Sequence, residues 1–291
     1  MTEQAKLKVG YVPEHFSTPL LLASRHGMLP PHTLHPQPSG TGQMIESLRT
    51  GEIDIALGLT EGWVAGLGGD KDWYKIVGTY VQSPLCWAIS TGAQSEYNSV
   101  DDLKDSKLGI SRIGSGSYVM AYYLADTKGW LEEGKQPFDF QIQNTFLNLR
   151  NGVNSGASSA FMWEYFTSKK YYDNKEIRQI GEIYTPWPSW LITAHTSVLA
   201  RSDASQTLSA LLEGINKGVE YFHAHTDEVV EYISTELDYS AEDARAWLKT
   251  VEYPQDVKKV DQKMIESTIG TLQKAGVIRG EPQAEAMVQK L

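Results

Sequence analysis

Two kinds of hydrophobic pattern take turns along the chain. Leu7-Lys8-Val9-Gly10-Tyr11-Val12 is a short apolar run and reads as a strand, whereas 20–28 repeats its apolar positions at helical spacing. A second strand at 33–37 leads through Ser39-Gly40-Thr41-Gly42 into a helix at 43–50. Glu52-Ile53-Asp54-Ile55-Ala56-Leu57 gives a third strand, Thr60-Glu61-Gly62-Trp63 opens the next helix, and Tyr74-Lys75-Ile76-Val77-Gly78-Thr79 is a fourth strand. Strand–helix alternation of this kind predicts an α/β fold built on a mostly parallel sheet with helices on both faces. Ligands of such sheets sit beyond the carboxyl ends of the strands. His15, Phe16, Thr41, Thr60 and Glu61 fall at such ends, with Trp63 one helical step further on.

A second series begins at Ser99-Val100-Asp101-Asp102-Leu103, where a serine and acids suit a helix start. Strands follow at 107–111, 139–143, 160–163 and 177–183, with helices between them. Apolar extended stretches at 84–90 and 190–200 flank this series and read as paired hinge crossings between two lobes. The first lobe then holds 1–85 and 197–291, and the second holds 90–190. From 204 onward Leu208, Leu211, Leu212 and Ile215 recur at helical spacing, so this tail is expected to pack on the first lobe.

The stretch Ser111-Arg112-Ile113-Gly114-Ser115-Gly116-Ser117 lies between a strand and a helix. Small residues there let backbone approach a ligand, and the N–H groups of the helix's first turn point outward at it. Arg112 adds a fixed positive charge beside Ser111, Gly114, Ser115 and Gly116. The stretch lacks the final glycine of a dinucleotide fingerprint and the lysine of a P-loop. A plain turn with a surface arginine is the alternative.

Composition narrows the partners. At 291 residues the chain has room for about two domains, each with its own core. Its net charge of −10, with no Lys/Arg cluster, argues against nucleic acid. No apolar run approaches the roughly 18 residues of a spanning helix, so membrane insertion is not expected. The polar start 1–6 shows no basic-then-apolar export signal, and Cys86 is the one cysteine, in the apolar setting Leu85-Cys86-Trp87-Ala88-Ile89. These features point to a cytoplasmic, reducing setting, or to the periplasm if a leader has been removed. His223 and His225 face different sides of a helix, and no metal-ligand spacing occurs, so no metal is expected.

Val9-Gly10-Tyr11-Val12-Pro13, Arg25-His26-Gly27-Met28-Leu29, Leu48-Arg49-Thr50-Gly51-Glu52-Ile53-Asp54-Ile55-Ala56 and Asp101-Asp102-Leu103-Lys104-Asp105-Ser106-Lys107-Leu108-Gly109-Ile110 occur in the order found in type II periplasmic binding proteins. The chain resembles most the nitrate/sulfonate/taurine and thiamine-pyrimidine branch, which includes the yeast thiamine-pyrimidine synthases. The resemblance runs from about 6 to 200 and more loosely through the tail. It implies two α/β lobes that close on a small ligand in the cleft between them. The synthases use a lysine-bound pyridoxal phosphate and a cysteine cluster. Here the matching strand end reads Ala56-Leu57-Gly58-Leu59-Thr60-Glu61, without lysine, and one cysteine cannot form a cluster. No cofactor is expected, and synthase chemistry is not.

Within that frame Trp163-Glu164 ends an apolar strand, where an aromatic face and a carboxylate can bind a ring and its donors. A core tryptophan and a helix-starting glutamate are the alternative. Thr60-Glu61-Gly62-Trp63 offers the same chemistry on the other lobe. Trp187 sits in the proline-stiffened Tyr184-Thr185-Pro186-Trp187-Pro188-Ser189-Trp190 and is read as a ligand contact, Trp190 as packing. Asn148 is either a helix cap or a ligand contact. The expected ligand is a small polar heterocycle, with a thiamine-pyrimidine precursor foremost. A small sulfonate or carboxylate held by Arg112, or catalysis on a heterocycle with Glu61 or His15 as base, are the rivals.

Overall fold

Two five-stranded sheets organise the chain, one in each of two compact units. The computed structural model describes residues 6–69 and 71–290, so most of the polar start on which the absence of an export signal was read lies outside the described residues. The first unit comprises Met1–Ser83, Trp187–Ile269 and Arg279–Leu291, and the second Pro84–Pro186 with Gly270–Ile278.

In chain order the first unit supplies β1 (Leu7–Tyr11), α1 (Thr18–Arg25), β2 (His32–Pro36), α2 (Thr41–Arg49), β3 (Ile55–Leu59), α3 (Thr60–Gly68) and β4 (Tyr74–Val81). The second unit follows with β5 (Cys86–Gly92), β6 (Lys107–Ile110), α4 (Gly116–Thr127), β7 (Asp139–Ile142), α5 (Phe146–Ser155), β8 (Ala160–Glu164), α6 (Tyr165–Asp173) and β9 (Ile177–Tyr184). The chain then re-enters the first unit with β10 (Trp190–His195), α7 (Thr196–Leu199), α8 (Ala204–Ala224), α9 (Thr226–Glu236) and α10 (Ala241–Trp247).

Sheet order is β2-β1-β3-β10-β4 in the first unit and β7-β6-β8-β5-β9 in the second. The inner pairs β1–β2, β1–β3, β6–β7 and β6–β8 are parallel. One antiparallel strand interrupts each sheet, β10 between β3 and β4, and β5 between β8 and β9. The stretches 84–90 and 190–200, read as crossings, carry these two strands, and the chain passes between the units at Ser83/Pro84 and Pro186/Trp187. Each stretch contributes a strand to its own sheet, because its backbone groups find ladder partners there. A buried apolar run must pair its N–H and C=O groups somewhere.

Local signals account for most boundaries. Pro19 stands in the first turn of α1, where its missing N–H costs nothing. Thr145 accepts the N–H of Asn148 at the start of α5, and Gly156 (φ 76) ends that helix in a left-handed conformation. The helix expected at 99–103 is a single 3-10 turn with a Ser99/Asp102 capping box. In α8 the fully buried Leu208, Leu211, Leu212 and Ile215 form one apolar stripe. Burial of each stabilises by about 1.5–3 kcal/mol. At Gly218 a Cβ would stand 2.4 Å from the Pro19 carbonyl oxygen, so only glycine lets α8 lie this close to α1.

Candidate functional site

The parallel strands bring different chemistry to their carboxyl ends in the two units. In the first, β1 runs into a 3-10 turn at His15–Ser17, held by Ser17 Oγ donating to Val12 O and Thr18 Oγ1 to His15 O, both at 2.7 Å. His15 is buried, with the rings of Phe16, Tyr239 and Trp247 centred 4.5, 4.4 and 4.5 Å away. That burial drives its pKa down to about 3, so the imidazole is neutral near pH 7 and a poor general base. Phe16 stacks on Trp190 (5.6 Å) and meets Trp247 edge-on (5.3 Å), while Tyr253 OH donates to the Phe16 carbonyl at 2.9 Å. The Nε1 groups of Trp190 and Trp247 are buried and have no hydrogen-bond partner among the described residues.

Glu61 lies at the same edge, in the first turn of α3. Trp187 Nε1 donates to its Oε2 at 3.1 Å, and Oε1 is buried with no hydrogen-bond partner among the described residues. No cation pairs with this carboxyl group among those residues. Burial lifts its pKa from 4.5 to about 7, against the weaker opposing pull of its hydrogen bonds. A carboxyl group poised there, with one buried oxygen unbonded among the described residues, can accept from a donor brought to it or exchange a proton with it. Around it Thr60 Oγ1 donates to Pro188 O, and Thr41 Oγ1 accepts the Leu59 N–H at 2.9 Å. Both hydroxyls therefore brace the strand ends. Trp63 is fully buried, edge-on to Tyr74 at 5.3 Å, and its carbonyl accepts from the Tyr74 hydroxyl.

In the second unit the turn after β6 is a serine network. Ser111 N–H donates to Ser117 Oγ (3.2 Å), Ser115 and Ser117 share a hydrogen bond (3.0 Å), and Ser115 caps α4 by accepting from Tyr118 N–H. Gly114 (φ 75) gives the turn its left-handed residue, and Gly116 begins the helix. Arg112 is exposed and makes neither a hydrogen bond nor an ion pair among the described residues. Asn144 N–H donates to Ser111 O, so the loop after β7 runs beside this turn. Ile113 and Leu147 expose 56% and 54% of their surface, too much for core residues.

Trp163 and Glu164 end β8. Trp163 is half-buried and lies nearly parallel to Phe146 at 5.0 Å, so one ring face is already covered. Arg150 in turn sits over the Phe146 ring at 4.8 Å. Glu164 is buried and accepts the Thr167 N–H at 2.6 Å, which makes it the cap of α6. Burial pushes its pKa up to about 7. Cys86 is half-buried with Sγ 3.8 Å from Glu182 Oε2, and burial pushes the thiol up to about 12, far from a reactive thiolate.

A family model described as Ca3427-like PBP matches residues 87–183. The solved structure of the Candida albicans CA3427 gene product, reported to define a new family with the generic periplasmic binding protein fold, is 42% identical to this chain. The match covers 98% of this chain and 96% of that one, with a TM-score of 0.89. The chain belongs to the Ca3427-like family.

Its two sheets, each flanked by helices, are the periplasmic binding protein fold. The alkanesulfonate-binding protein SsuA from Xanthomonas axonopodis pv. citri, bound to MOPS, is 16% identical over the whole of both chains, with a TM-score of 0.80. The aliphatic sulphonate binding protein SsuA from Escherichia coli is 15% identical over 99% of this chain and 92% of that one, with a TM-score of 0.76. At such identities these two show the fold alone. None of the curated proteins compared with the chain matches it.

In this Ca3427-like protein the first unit gathers His15, Phe16, Thr60, Glu61 and Trp187 at one sheet edge, while Thr41 and Trp63 pack behind them. The second gathers Ser111, Arg112, Gly114, Ser115 and Gly116, with Asn148 exposed and its N–H capped by Thr145. Sequence reasoning missed Tyr239, Trp247 and Tyr253, which reach His15 and Phe16 from the helical tail. Only Trp247 stands in a helix, at the end of α10; Tyr239 and Tyr253 lie in the irregular segments on either side, where no periodicity marks them. Among the described residues no group of three or more His, Cys, Asp or Glu is placed to hold a metal.

Proposed function

We propose that this Ca3427-like protein binds a small polar heterocycle, with a thiamine-pyrimidine precursor the foremost ligand, and that Glu61 selects it. The observation that carries this reading is the buried carboxyl group with Oε2 held by Trp187, Oε1 open and no countercharge. A buried charge without a partner is unfavourable, so the site favours a ligand that brings ring N–H or amino donors. An aminopyrimidine supplies both. His15, neutral and packed among aromatic rings, adds shape rather than charge.

Arg112 supports a second reading. An exposed guanidinium with no acidic partner suits a small sulfonate or carboxylate, and the SsuA proteins that share the fold are named for sulfonates.

A thermal-shift panel of aminopyrimidines, taurine and dicarboxylates separates the two. A ligand at about 100 times its Kd stabilises by roughly 2.7 kcal/mol. The aminopyrimidine shift should vanish in Glu61→Gln and persist in Arg112→Ala. A taurine shift that survives Glu61→Gln and disappears in Arg112→Ala makes the second reading the right one.

A further inference from the structure

The second unit has another opening at the opposite edge of its sheet. A groove of about 790 Å³ is lined by Lys107, which begins β6, by Asp139, which begins β7, and by Ser159, just before β8. It therefore lies at the amino ends of the parallel strands, away from Arg112, and its volume is within the range of small-molecule sites.

Its walls are preformed. Arg178 Nη2 donates to the carbonyls of Ser95 (2.6 Å) and Tyr97 (2.7 Å), and Asn154 ties Ala93 N–H to the Glu176 carbonyl. The lining charges make no direct bonds: Glu96, Asp105, Lys107 and Asp139 make no ion pair or side-chain hydrogen bond among the described residues. The Ser106 hydroxyl is buried with no partner among them. A polyanion would face the three carboxylates, and a polycation would face Lys107. A hydroxyl group donates to a carboxylate and accepts from an ammonium at once, so adjacent hydroxyls satisfy both signs of side chain. Tyr97 also lines the groove, and an aromatic residue there can offer a face to C–H groups.

We propose that this groove binds a neutral mono- or disaccharide, independently of the carboxyl-edge site. Proton–nitrogen correlation spectra recorded with glucose, mannose and maltose test it, with spermidine and inorganic phosphate as charged counterparts. The expected result is a saturable shift confined to amides of 92–97, 105–107 and 153–159, and binding about tenfold weaker in Asp139→Ala and in Lys107→Ala. Both side chains are exposed and unpaired, so both variants should fold, which the unliganded spectra verify. The proposal is overturned if none of the three sugars gives a saturable shift. Sugar shifts indifferent to both substitutions, or larger shifts of these amides with spermidine or phosphate, overturn it equally.

Discussion

The two sheets share one strand order, two parallel pairs followed by an antiparallel insertion and a last strand, yet their carboxyl edges have opposite characters. In the first unit that edge is dry. His15, Phe16, Glu61, Trp187 and Trp190 are all at most 5% exposed there. In the second it is open, with Arg112, Ile113, Leu147 and Asn148 in solvent. Topology places loops, and side chains decide whether a strand end becomes a polar group held in an apolar shell or a charged rim. The first edge can impose chemistry on a ligand through desolvation. The second offers the Arg112 charge at its exposed rim, where solvent screens it more.

Truncating an aromatic at each edge should expose that contrast most strongly. Trp190→Ala removes a fully packed ring against Phe16 and Tyr80 and should cost about 3–5 kcal/mol in urea unfolding. Trp163→Ala removes a half-buried ring stacked on Phe146 and should cost less than half as much. Equal losses would break the distinction between a dry and an open edge.

Glu61 tests the dry edge through pH. Its folded pKa of about 7 lies above the ordinary 4.5, so the fold favours the protonated form. The stability this contributes, up to about 3 kcal/mol, is complete below pH 4.5 and is lost as pH rises through 7. Glu61→Gln should remove that loss. His15 works in the other direction. Its folded pKa of about 3 lies below 6.5, so its contribution is complete above pH 6.5 and lost as pH falls towards 3. Denaturant melts of the unsubstituted protein and of Glu61→Gln across pH 3–8 check the two signs, and an unchanged slope in Glu61→Gln would mean that its carboxyl group is hydrated.

Much of this was legible in the chain. Strand–helix alternation points to two mostly parallel α/β sheets, and His15, Phe16, Thr60 and Glu61 do follow the carboxyl ends of β1 and β3. What periodicity could not give was competition for the same group. Glu164 fits both a ligand contact and a helix cap, and in the structure its Oε2 caps α6 by accepting the Thr167 N–H. Ser115 and Ser117 bond each other, and Ser115 caps α4, because the unsatisfied N–H groups of the first turn lie within reach of these side chains. The antiparallel strands escaped because an apolar run states that it is buried, not which way its neighbours run. Glu164→Ala therefore has a structural outcome: the unliganded protein should lose about 1 kcal/mol, the cost of a lost cap, with any aminopyrimidine shift retained. Loss of that shift at unchanged unliganded stability would return Glu164 to the ligand.

Arg112 should give the smallest effect on folding and for that reason the sharpest one on function. Its side chain is exposed and bonds to nothing among the described residues, so Arg112→Ala should change unfolding stability by no more than about 0.5 kcal/mol. The Ser111–Ser117 and Ser115–Tyr118 bonds that shape the turn do not involve its guanidinium, and Gly114 keeps the backbone path. Any change in ligand affinity is then a direct loss of charge rather than a distorted turn. Arg112→Lys separates the possibilities further, because a lysine keeps the charge but not the planar fork that matches a carboxylate or sulfonate. If Arg112→Lys restores the taurine response lost in Arg112→Ala, point charge suffices; if it does not, the guanidinium geometry recognises the anion. A fall in unliganded stability of more than about 1 kcal/mol in Arg112→Ala would mean that this arginine is a structural part of the turn, and the open edge would lose Arg112 as a ligand group.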